Sequence, residues 1–294
     1  KYHASQPLTL ETSNPVAGRQ TFGGVARNVC ENLARLAVPA SLLSWVGDDE
    51  AGRSLVEAMQ RIGADTSGIR HHPRLATAEY IALIDTDGAL RVGAADMAIF
   101  EALTPEFLDA VWPRLASASW VFADCNPTRE LLAELISRRR SARFKLAIDA
   151  VSTTKVRRLP ADLGGVDVLF LNEDEARAYL DRPALAAEDA ALELRRRGVE
   201  CVVLSLGARG ALLADADGIG ECQAFSAHPV DATGAGDALI AGMLASLIAG
   251  ENHASALRSG CLLAALTVAS DASVHQELSP GFFAKALAET NERS

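Results

Sequence analysis

Residues 230–237, Val-Asp-Ala-Thr-Gly-Ala-Gly-Asp, are followed at once by an apolar segment at residues 238–249. Two glycines therefore flank Ala235 where a helix must begin, and glycine allows a tight turn and a close approach of a ligand to the backbone. The unpaired N–H groups of Gly234, Ala235 and Gly236 at such a helix start bind anions, phosphate above all. The stretch predicts a phosphate-binding turn at the N-terminus of a buried helix.

Asp237 is the residue of this stretch that needs a chemical explanation. A carboxylate among free amides competes with phosphate, unless its task is to accept the proton of a hydroxyl group that attacks the phosphate. The amides would then stabilise charge on the transferred group. The alternative is that Asp237 only caps the helix and the glycines only pack. A nicotinamide site fits poorly, because the motif lies late in the chain and lacks the third glycine of G-x-G-x-x-G.

Short apolar runs alternate with amphipathic segments along the rest of the chain. The runs have the length of parallel strands buried on both faces, and the segments have helical spacing. The runs are residues 41–46, 120–123, 145–148, 168–171 and 202–206, and the helical segments are residues 25–36, 51–62, 130–137, 173–180, 188–197, 235–249, 254–269 and 281–288. The pattern predicts an α/β fold in which a mostly parallel central sheet has helices on both faces.

One segment breaks this alternation. Residues 80–85 and 89–92 are apolar runs separated by Thr-Asp-Gly, and Asp-Gly between such runs favours a tight hairpin turn. We expect a small β-hairpin lid that covers approximately residues 76–95. The alternative is an antiparallel edge strand of the main sheet.

The composition excludes several classes of protein. The 294 residues are 49% hydrophobic, which excludes intrinsic disorder, and the net charge of −10 argues against binding to nucleic acid polymers or anionic membranes. The most apolar stretches are shorter than the roughly 18 residues that a membrane span needs. The five cysteines are widely spaced without a C-x-x-C pair, which is typical of a reducing compartment and argues against a zinc site. We expect a cytoplasmic protein.

Four motifs together carry a family resemblance. Residues 231–237 resemble the C-terminal signature of the ribokinase-like, or PfkB-type, carbohydrate kinases, and residues 23–28 (GGVARN) with 47–49 (GDD) resemble the N-terminal signature. Residues 172–175 (NEDE) match the N-x-x-E motif, and residues 204–210 match the strand and turn beside the nucleotide. The motifs occur in the family's order over nearly the whole chain. The chain is therefore identified as a single ribokinase-like kinase domain, residues 1–294.

The resemblance implies a catalytic role for the turn before the buried helix. Asp237 is expected to be the general base that takes the proton of the substrate's 5′-hydroxyl as this oxygen attacks the γ-phosphate of ATP. Gly234, Ala235 and Gly236 are expected to form the anion hole. Asp231 and Thr233 resemble a monovalent-cation site, which implies activation by potassium.

The resemblance also implies binding roles for residues elsewhere. Glu175 is expected to hold magnesium through water together with Asn172. The residues expected at the sugar are Gly23, Gly24 and Asn28, and those expected at ATP are Asn172, Glu175, Ser205, Gly207 and Gly210. Relatives dimerise through the lid, so a homodimer through the hairpin is expected.

A narrower resemblance concerns the substrate. Arg27 within GGVARN is similar to the pseudouridine kinase branch of the family, as are Asp96 and residues 123–126 (ADCN). Members of that branch phosphorylate the 5′-hydroxyl of pseudouridine, so Arg27, Asp96 and Asn126 are expected at a ribosyl substrate. The alternatives are a kinase for another sugar or nucleoside, such as ribose, fructose or an adenosine-like compound, and a non-catalytic ligand-sensing relative.

The start of the chain departs from the family pattern. Relatives begin with a β-strand and a Gly…Asp element whose carboxylate binds the ribose hydroxyls. Residues 1–15 resemble the loop that follows that strand. We therefore expect the family's first strand and its Asp to be missing from this sequence.

Overall fold

The computed structural model describes residues 1–291 of the 294 and shows helices packed around three β-sheets. The α-helices are α1 (Val25–Arg35), α2 (Glu50–Arg61), α3 (Pro105–Ser117), α4 (Arg129–Arg139), α5 (Glu173–Leu180), α6 (Ala187–Arg196), α7 (Ala235–Ile248), α8 (His253–Val268) and α9 (Pro280–Asn291). The strands are β1 (Tyr2–Ala4), β2 (Val16–Gly18), β3 (Ser41–Gly47), β4 (Asp65–His72), β5 (Glu79–Ile84), β6 (Leu90–Asp96), β7 (Trp120–Asp124), β8 (Lys145–Asp149), β9 (Val168–Asn172), β10 (Cys201–Ser205), β11 (Ala211–Asp215) and β12 (Gly218–Cys222).

The largest sheet has six strands in the order β12-β11-β10-β9-β8-β7. Strands β7 to β10 are parallel, whereas β11 and β12 are antiparallel to their neighbours. This arrangement confirms the predicted α/β class with a mostly parallel central sheet. Each predicted helix is also present, with ends that lie within three residues of the predicted ones.

The buried strand β9 shows why helices cover both faces of this sheet. Its residues alternate between two cores: Leu169 and Leu171 face a layer with α3 to α6, whereas Val168 and Phe170 face a layer with α1, α7 and α8. These four side chains are at most 3% exposed. A continuous apolar run is thus required, since neither face of the strand meets water.

The predicted hairpin is confirmed and belongs to a larger sheet than expected. Strands β5 and β6 pair antiparallel through a turn in which the N–H of Gly88 donates to the carbonyl of Asp85 at 2.9 Å. Strands β1 and β2 extend the sheet to the order β2-β1-β5-β6, so residues 2–4 form a strand within the stretch 1–15 that was predicted to be a loop. Strands of three residues are too short to show a periodicity in the sequence.

The third sheet consists of the parallel pair β3 and β4. Helix α1 packs against both β3 and β7, each of which lies at an edge of its own sheet within residues 1–291. The expectation of a further strand ahead of residue 1 is not tested by this arrangement and stays a prediction. None of the helices within residues 1–291 is long and apolar enough to cross a membrane.

Helix α3 was not predicted from the sequence, and its prolines explain why. Pro105 begins the helix, where its missing N–H is not needed, but Pro113 lies in the helix interior. A proline at that position normally indicates the end of a helix. Leu108, Val111 and Leu115 are buried on the sheet and keep the helix in place.

Helices α7 and α8 pack closely through small residues. A Cβ on Gly260 would lie 2.5 Å from the carbonyl oxygen of Leu239, and one on Gly242 would lie 2.9 Å from that of Ser259. Both contacts involve backbone atoms, which cannot move without shifting a helix. The position of α7, and with it of the turn that precedes it, therefore depends on this contact.

We predict that Gly260→Ala lowers the free energy of unfolding by about 1–3 kcal/mol, because the added methyl group forces α7 and α8 apart. Urea unfolding monitored by circular dichroism measures the effect. Gly281→Ala is the matched control, since a Cβ on this residue of α9 meets open space. The control should be neutral or stabilising by up to about 1 kcal/mol. Equal stability of Gly260→Ala and the wild-type chain would contradict the close packing.

Candidate active site

Four polar side chains stand at one edge of the central sheet, one at the end of each parallel strand. Asp124 ends β7, Asp149 ends β8, Asn172 ends β9 and Ser205 ends β10. The register places Asp124 beside Asp149 and Asn172 beside Ser205. Ligands of open α/β sheets bind outside the carboxyl ends of the strands, so this edge is where a site is expected.

A cavity of about 150 Å³ opens at this edge against the first turn of α7. The sequence-predicted residues Asn172, Glu175, Ser205, Gly236 and Asp237 all line it. A larger cavity of about 430 Å³ lies between α2 and β4 and is lined by none of the sequence-predicted site residues. We therefore assign the candidate chemistry to the smaller cavity.

The two glycines of the turn before α7 have different structural tasks. Gly234 has a φ of +85°, and a Cβ there would lie 2.1 Å from the carbonyl oxygen of Ser273. Only glycine fits such a turn. A Cβ on Gly236 would meet no other described group within 4 Å, so this residue leaves open space at the cavity wall.

The amides of this turn form a smaller anion site than the sequence predicts. The N–H of Ala235 already donates to the carbonyl of Ala232 at 3.2 Å, so it is not available to a ligand. The N–H groups of Gly234 and Gly236 have no acceptor within residues 1–291. The expected anion hole of three amides is therefore reduced to the N–H groups of Gly234 and Gly236, because the N–H of Ala235 is hydrogen-bonded within the turn.

Asp237 lies in the first turn of α7 and is held by a residue of α1. The side-chain amide of Asn28 donates a hydrogen bond of 2.5 Å to Oδ2 of Asp237. Burial raises the pKa of Asp237 to about 6, although the hydrogen bond from Asn28 lowers it. The negative charge of Asp124 adds to the rise and the guanidinium of Arg27 opposes it. A carboxylate with this pKa is a stronger base than an exposed one and is still ionised at neutral pH.

Asp149 is a half-buried carboxyl group in the cavity, and the sequence assigned it no role, although it lies in a stretch (residues 149–152) that also resembles the pseudouridine kinase branch. Its Oδ2 accepts a hydrogen bond of 2.9 Å from the N–H of Val151. Burial, followed by the charges of Glu175 and Asp237, raises the pKa of Asp149 well above its usual range. A signal was present in the sequence, because Asp149 is the first polar residue after the apolar run at 145–148.

Asn172 and Glu175 form a capping box at the start of α5. The N–H of Glu175 donates to Oδ1 of Asn172 at 2.9 Å, and the N–H of Asn172 donates to Oε2 of Glu175 at 2.8 Å. Burial raises the pKa of Glu175. Both residues still line the cavity, as Asp149 does. Carboxylate and amide oxygens are the ligands that magnesium takes from proteins, so this donor set fits the ion.

Arg27 is buried and holds the loop of residues 22–24 before α1, which we call the glycine loop. Its guanidinium donates to the carbonyls of Phe22 and Gly23 at 2.9 and 3.1 Å, and it forms an ion pair with Glu31 and a hydrogen bond with Asn28. Burial lowers the pKa of Arg27, and Glu31 opposes this effect. The structure does not place Arg27 in the cavity wall, since its charge is already paired. It orients Asn28 and the loop instead.

Asp231 and Thr233 come together as the resemblance implies, but both of their side chains are bonded to the side chain of Lys1. The ammonium group of Lys1 donates to Oδ2 of Asp231 at 2.6 Å and to Oγ1 of Thr233 at 2.7 Å. Burial alone would raise the pKa of Asp231, but Lys1 and Thr233 outweigh it and hold the pKa at about 2. The ammonium group of Lys1 thus lies beside the position where a monovalent cation was expected.

Four further predicted residues lie outside the cavity wall. Asp96 is exposed at the end of β6, and Asn126 is buried with its side chain bonded to Lys155. Gly207 and Gly210 shape the turn after β10 with φ values of +61° and +97°. The turn follows Ser205, so these glycines border the site through the backbone. The structure brings neither Asp96 nor Asn126 to the cavity, because Asp96 lies at the end of β6 and the Asn126 side chain is bonded to Lys155.

The chain is similar to known carbohydrate kinases in sequence and in fold. A family model described as pfkB family carbohydrate kinase matches residues 3–277. The pseudouridine kinase of Escherichia coli is 31% identical over 90% of this chain and 86% of its own length. A carbohydrate kinase from Agrobacterium tumefaciens has a solved structure that covers 98% of this chain and 92% of its own, with 29% identity and a TM-score of 0.86. A ribokinase of Arabidopsis thaliana complexed with ribose and ATP covers 97% of this chain and 93% of its own at 20% identity, with a TM-score of 0.84, and so shares the fold.

We predict that Asp237→Asn raises the free energy of unfolding at neutral pH by about 1–3 kcal/mol, since one pKa unit corresponds to about 1.4 kcal/mol. The folded state binds this proton more tightly than the unfolded chain, for which the usual pKa of 3.8 applies. The group therefore favours folding least above about pH 6, and the advantage of the variant should grow as the pH rises from about 4 to 6.

Urea unfolding of both proteins at several pH values measures this difference in stability. The wild-type chain near pH 4 serves as the internal reference, because its Asp237 is then protonated and as uncharged as the Asn. A stability difference that stays constant between about pH 4 and 7 would show that Asp237 does not titrate in the folded protein as inferred.

Proposed function

The chain belongs to the pfkB family of carbohydrate kinases, and from this premise we propose that it transfers the γ-phosphate of ATP to the 5′-hydroxyl of pseudouridine. The observation that carries the proposal is the Asp237 carboxylate, which lines the cavity next to the open amide of Gly236. A base and an anion-binding amide at one helix start are the groups that phosphoryl transfer to a hydroxyl needs.

Asp237 is the proposed general base. In the proposed step the substrate oxygen forms a bond to the γ-phosphorus, its proton passes to Asp237, and the bond from that phosphorus to the β-phosphate oxygen breaks to release ADP. The hydrogen bond from Asn28 fixes the orientation of the Asp237 carboxylate, so that its other oxygen is available to the hydroxyl. The raised pKa of Asp237 favours this proton transfer at neutral pH.

The N–H groups of Gly234 and Gly236 are proposed to stabilise the charge on the transferred phosphoryl group. They lie at the N-terminal end of α7, where the helix dipole adds a partial positive charge. Gly236 allows the phosphate to approach closely, since a side chain there would occupy the cavity. The net negative charge of the protein is no obstacle, because the phosphates meet amides rather than a basic surface.

Magnesium is proposed to bind at the capping box of α5. Asn172 and Glu175 would hold it, through water, with Asp149 close by in the same cavity. When bound, the ion neutralises phosphate charge. Burial first, and then the charges of Glu175 and Asp237, raise the pKa of Asp149, and a bound cation would offset the second of these effects. We leave potassium out of the mechanism, because Lys1 already places a positive charge beside Asp231.

The choice of pseudouridine as substrate rests on the resemblance at Arg27 and on the relative of 31% identity. Arg27 supports it indirectly, since it holds the carbonyls of the glycine loop that would lie against the ribose. The competing substrate is ribose or another ribosyl compound, which the shared fold with a ribokinase also fits. A non-catalytic sensor fits less well, because a sensor has no need for a base with a raised pKa such as Asp237.

Two further expectations extend the proposal to the whole protein. We propose a homodimer through the sheet β2-β1-β5-β6, on which Tyr80, Ile81, Leu90 and Val92 are all at least 39% exposed. Exposed apolar side chains grouped on one sheet mark an interaction surface. We also propose a cytoplasmic location, which suits an enzyme that consumes ATP.

We predict that Asp237→Asn folds and binds ATP but loses turnover by roughly 10²–10⁴-fold, the usual contribution of a general base. In the wild-type protein kcat/KM should fall below about pH 6 as Asp237 takes up its proton. A coupled assay of ADP release measures both effects. Asp271→Asn, which removes an exposed carboxylate, is the matched control and should keep full activity. Substantial turnover by Asp237→Asn would exclude this residue as the base.

We predict that pseudouridine gives the highest kcat/KM in a panel with ribose, fructose, adenosine and inosine, by at least about tenfold. The same ADP-release assay measures every compound in the presence of magnesium. Faster phosphorylation of ribose or a nucleoside would replace the proposed substrate and keep the mechanism. Binding of a panel compound without its phosphorylation would instead support the ligand-sensing alternative.

A further inference from the structure

Three side chains that metals favour meet at the opposite end of the central sheet from the cavity. Cys201 begins β10, whereas Ser205 at the other end of that strand lines the cavity. Asp215 ends the antiparallel neighbour β11, so that Cys201 and Asp215 each lie one residue beyond the paired residues Val202 and Ala214. His253 is the first residue of α8. The strand length puts this group roughly 13 Å from the catalytic edge, at about 3.3 Å per residue.

The geometry of this group is already close to that of a metal site. Each of the three residues offers one ligand atom, and these atoms lie within 4.8 Å of one another. Nδ1 of His253 is 2.7 Å from Oδ2 of Asp215. The cap of α8 fixes the position of His253, since Oδ1 of Asn252 accepts the N–H of Ser255 at 2.9 Å. Small movements would bring the three atoms around one ion.

The surroundings of the group suit a bound cation. Asp215 is buried, and its other carboxylate oxygen accepts the N–H of Asp217 at 2.9 Å, which orients it as outer contacts orient metal ligands. Cys201 is fully buried, but the His253 side chain is 32% exposed and gives an ion a path of entry. The site is therefore closed on the side of the sheet and open at the helix.

We propose that Cys201, Asp215 and His253 form a binding site for a divalent transition metal of the zinc class. Sulfur, nitrogen and oxygen donors together favour such an ion over magnesium or calcium. Binding replaces the proton of the Cys201 thiol by the metal and releases that proton to water, and a water molecule completes four ligands. The inference does not depend on the proposed kinase reaction.

Charge neutrality supports this assignment. A divalent ion with one thiolate and one carboxylate has no net charge, so it can lie at the start of α8 without opposing the helix dipole. Without the ion, burial and the nearby Asp215 raise the pKa of Cys201 to about 12, so the thiol keeps its proton. Arg195 and Glu200 also face this cysteine with opposite charges.

The metal would link three elements that are distant in the sequence. It would tie the start of α8 to β10 and β11, and α8 packs along α7, which carries Asp237. We therefore expect a structural ion that raises the stability of the catalytic half of the protein. The wide spacing of the cysteines argues against a zinc site in the sequence, and the proposal departs from that expectation because the strand register and the helix start bring the three ligands together.

Titration of the full-length, chelator-treated protein with Co²⁺ tests the proposal. The wild-type protein should bind one Co²⁺ and show the thiolate-to-cobalt charge-transfer absorption, which Zn²⁺ then removes. Zn²⁺ should also raise the thermal midpoint of unfolding. Cys201→Ala should abolish the absorption, and Asp215→Asn and His253→Ala should each weaken binding at least about tenfold.

Matched cysteine variants keep the test specific. Cys125→Ala removes an equally buried thiol outside the group and should leave the absorption unchanged. Cys222→Ala should do the same, although the contact with Cys261 lowers the pKa of Cys222 to about 7 and makes it the rival thiol. The proposal is overturned if the wild-type protein shows no absorption, if Cys222→Ala removes it, or if Asp215→Asn and His253→Ala bind Co²⁺ as tightly as the wild-type protein.

Discussion

The parallel alignment of β7 to β10 is the constraint on which the candidate site depends. Parallel strands in register present their carboxyl ends at one edge, so Asp124, Asp149, Asn172 and Ser205 are delivered to the same place. Helix α7 begins against that edge and adds Asp237. A shift of one residue in β8 would turn Asp149 to the other face of the sheet, because side chains alternate along a strand.

The acidic residues grouped at this edge lower the stability of the folded protein, and their grouping indicates a functional site. Burial raises the pKa of Asp237, Asp149 and Glu175, so each of them destabilises the folded protein when it is ionised. Two apolar layers on either side of the sheet outweigh this cost. Carboxyl groups concentrated in one small cavity at such a cost in stability indicate a function for their oxygen atoms, as proton acceptors or as ligands of a cation.

Several parts of the fold and of the site could be predicted from local sequence alone. Helix α5 has the predicted bounds, because its capping box and helical spacing lie within a few adjacent residues. Helix α3 and the short strands β1 and β2 could not be predicted, since Pro113 opposes a helix and three residues show no period. In the site, the glycine turn predicted a catalytic role for Asp237, and the structure places this residue in the cavity wall. The N–H of Ala235 is hydrogen-bonded to Ala232, which the sequence could not indicate because the contact depends on the backbone conformation of the turn.

The sequence by itself determined the alternation of buried strands and helices, the family of the chain and the glycine turn before α7, because each of them depends on short stretches of residues that are adjacent in the sequence. Only the tertiary structure decided which distant groups meet. The Asn28 side chain reaches Asp237, Lys1 reaches Asp231, and the ligand atoms of Cys201 and Asp215 lie within 4.8 Å of each other. No local pattern encodes these contacts, since they result from the packing of α1 on α7 and from the register of β10 and β11.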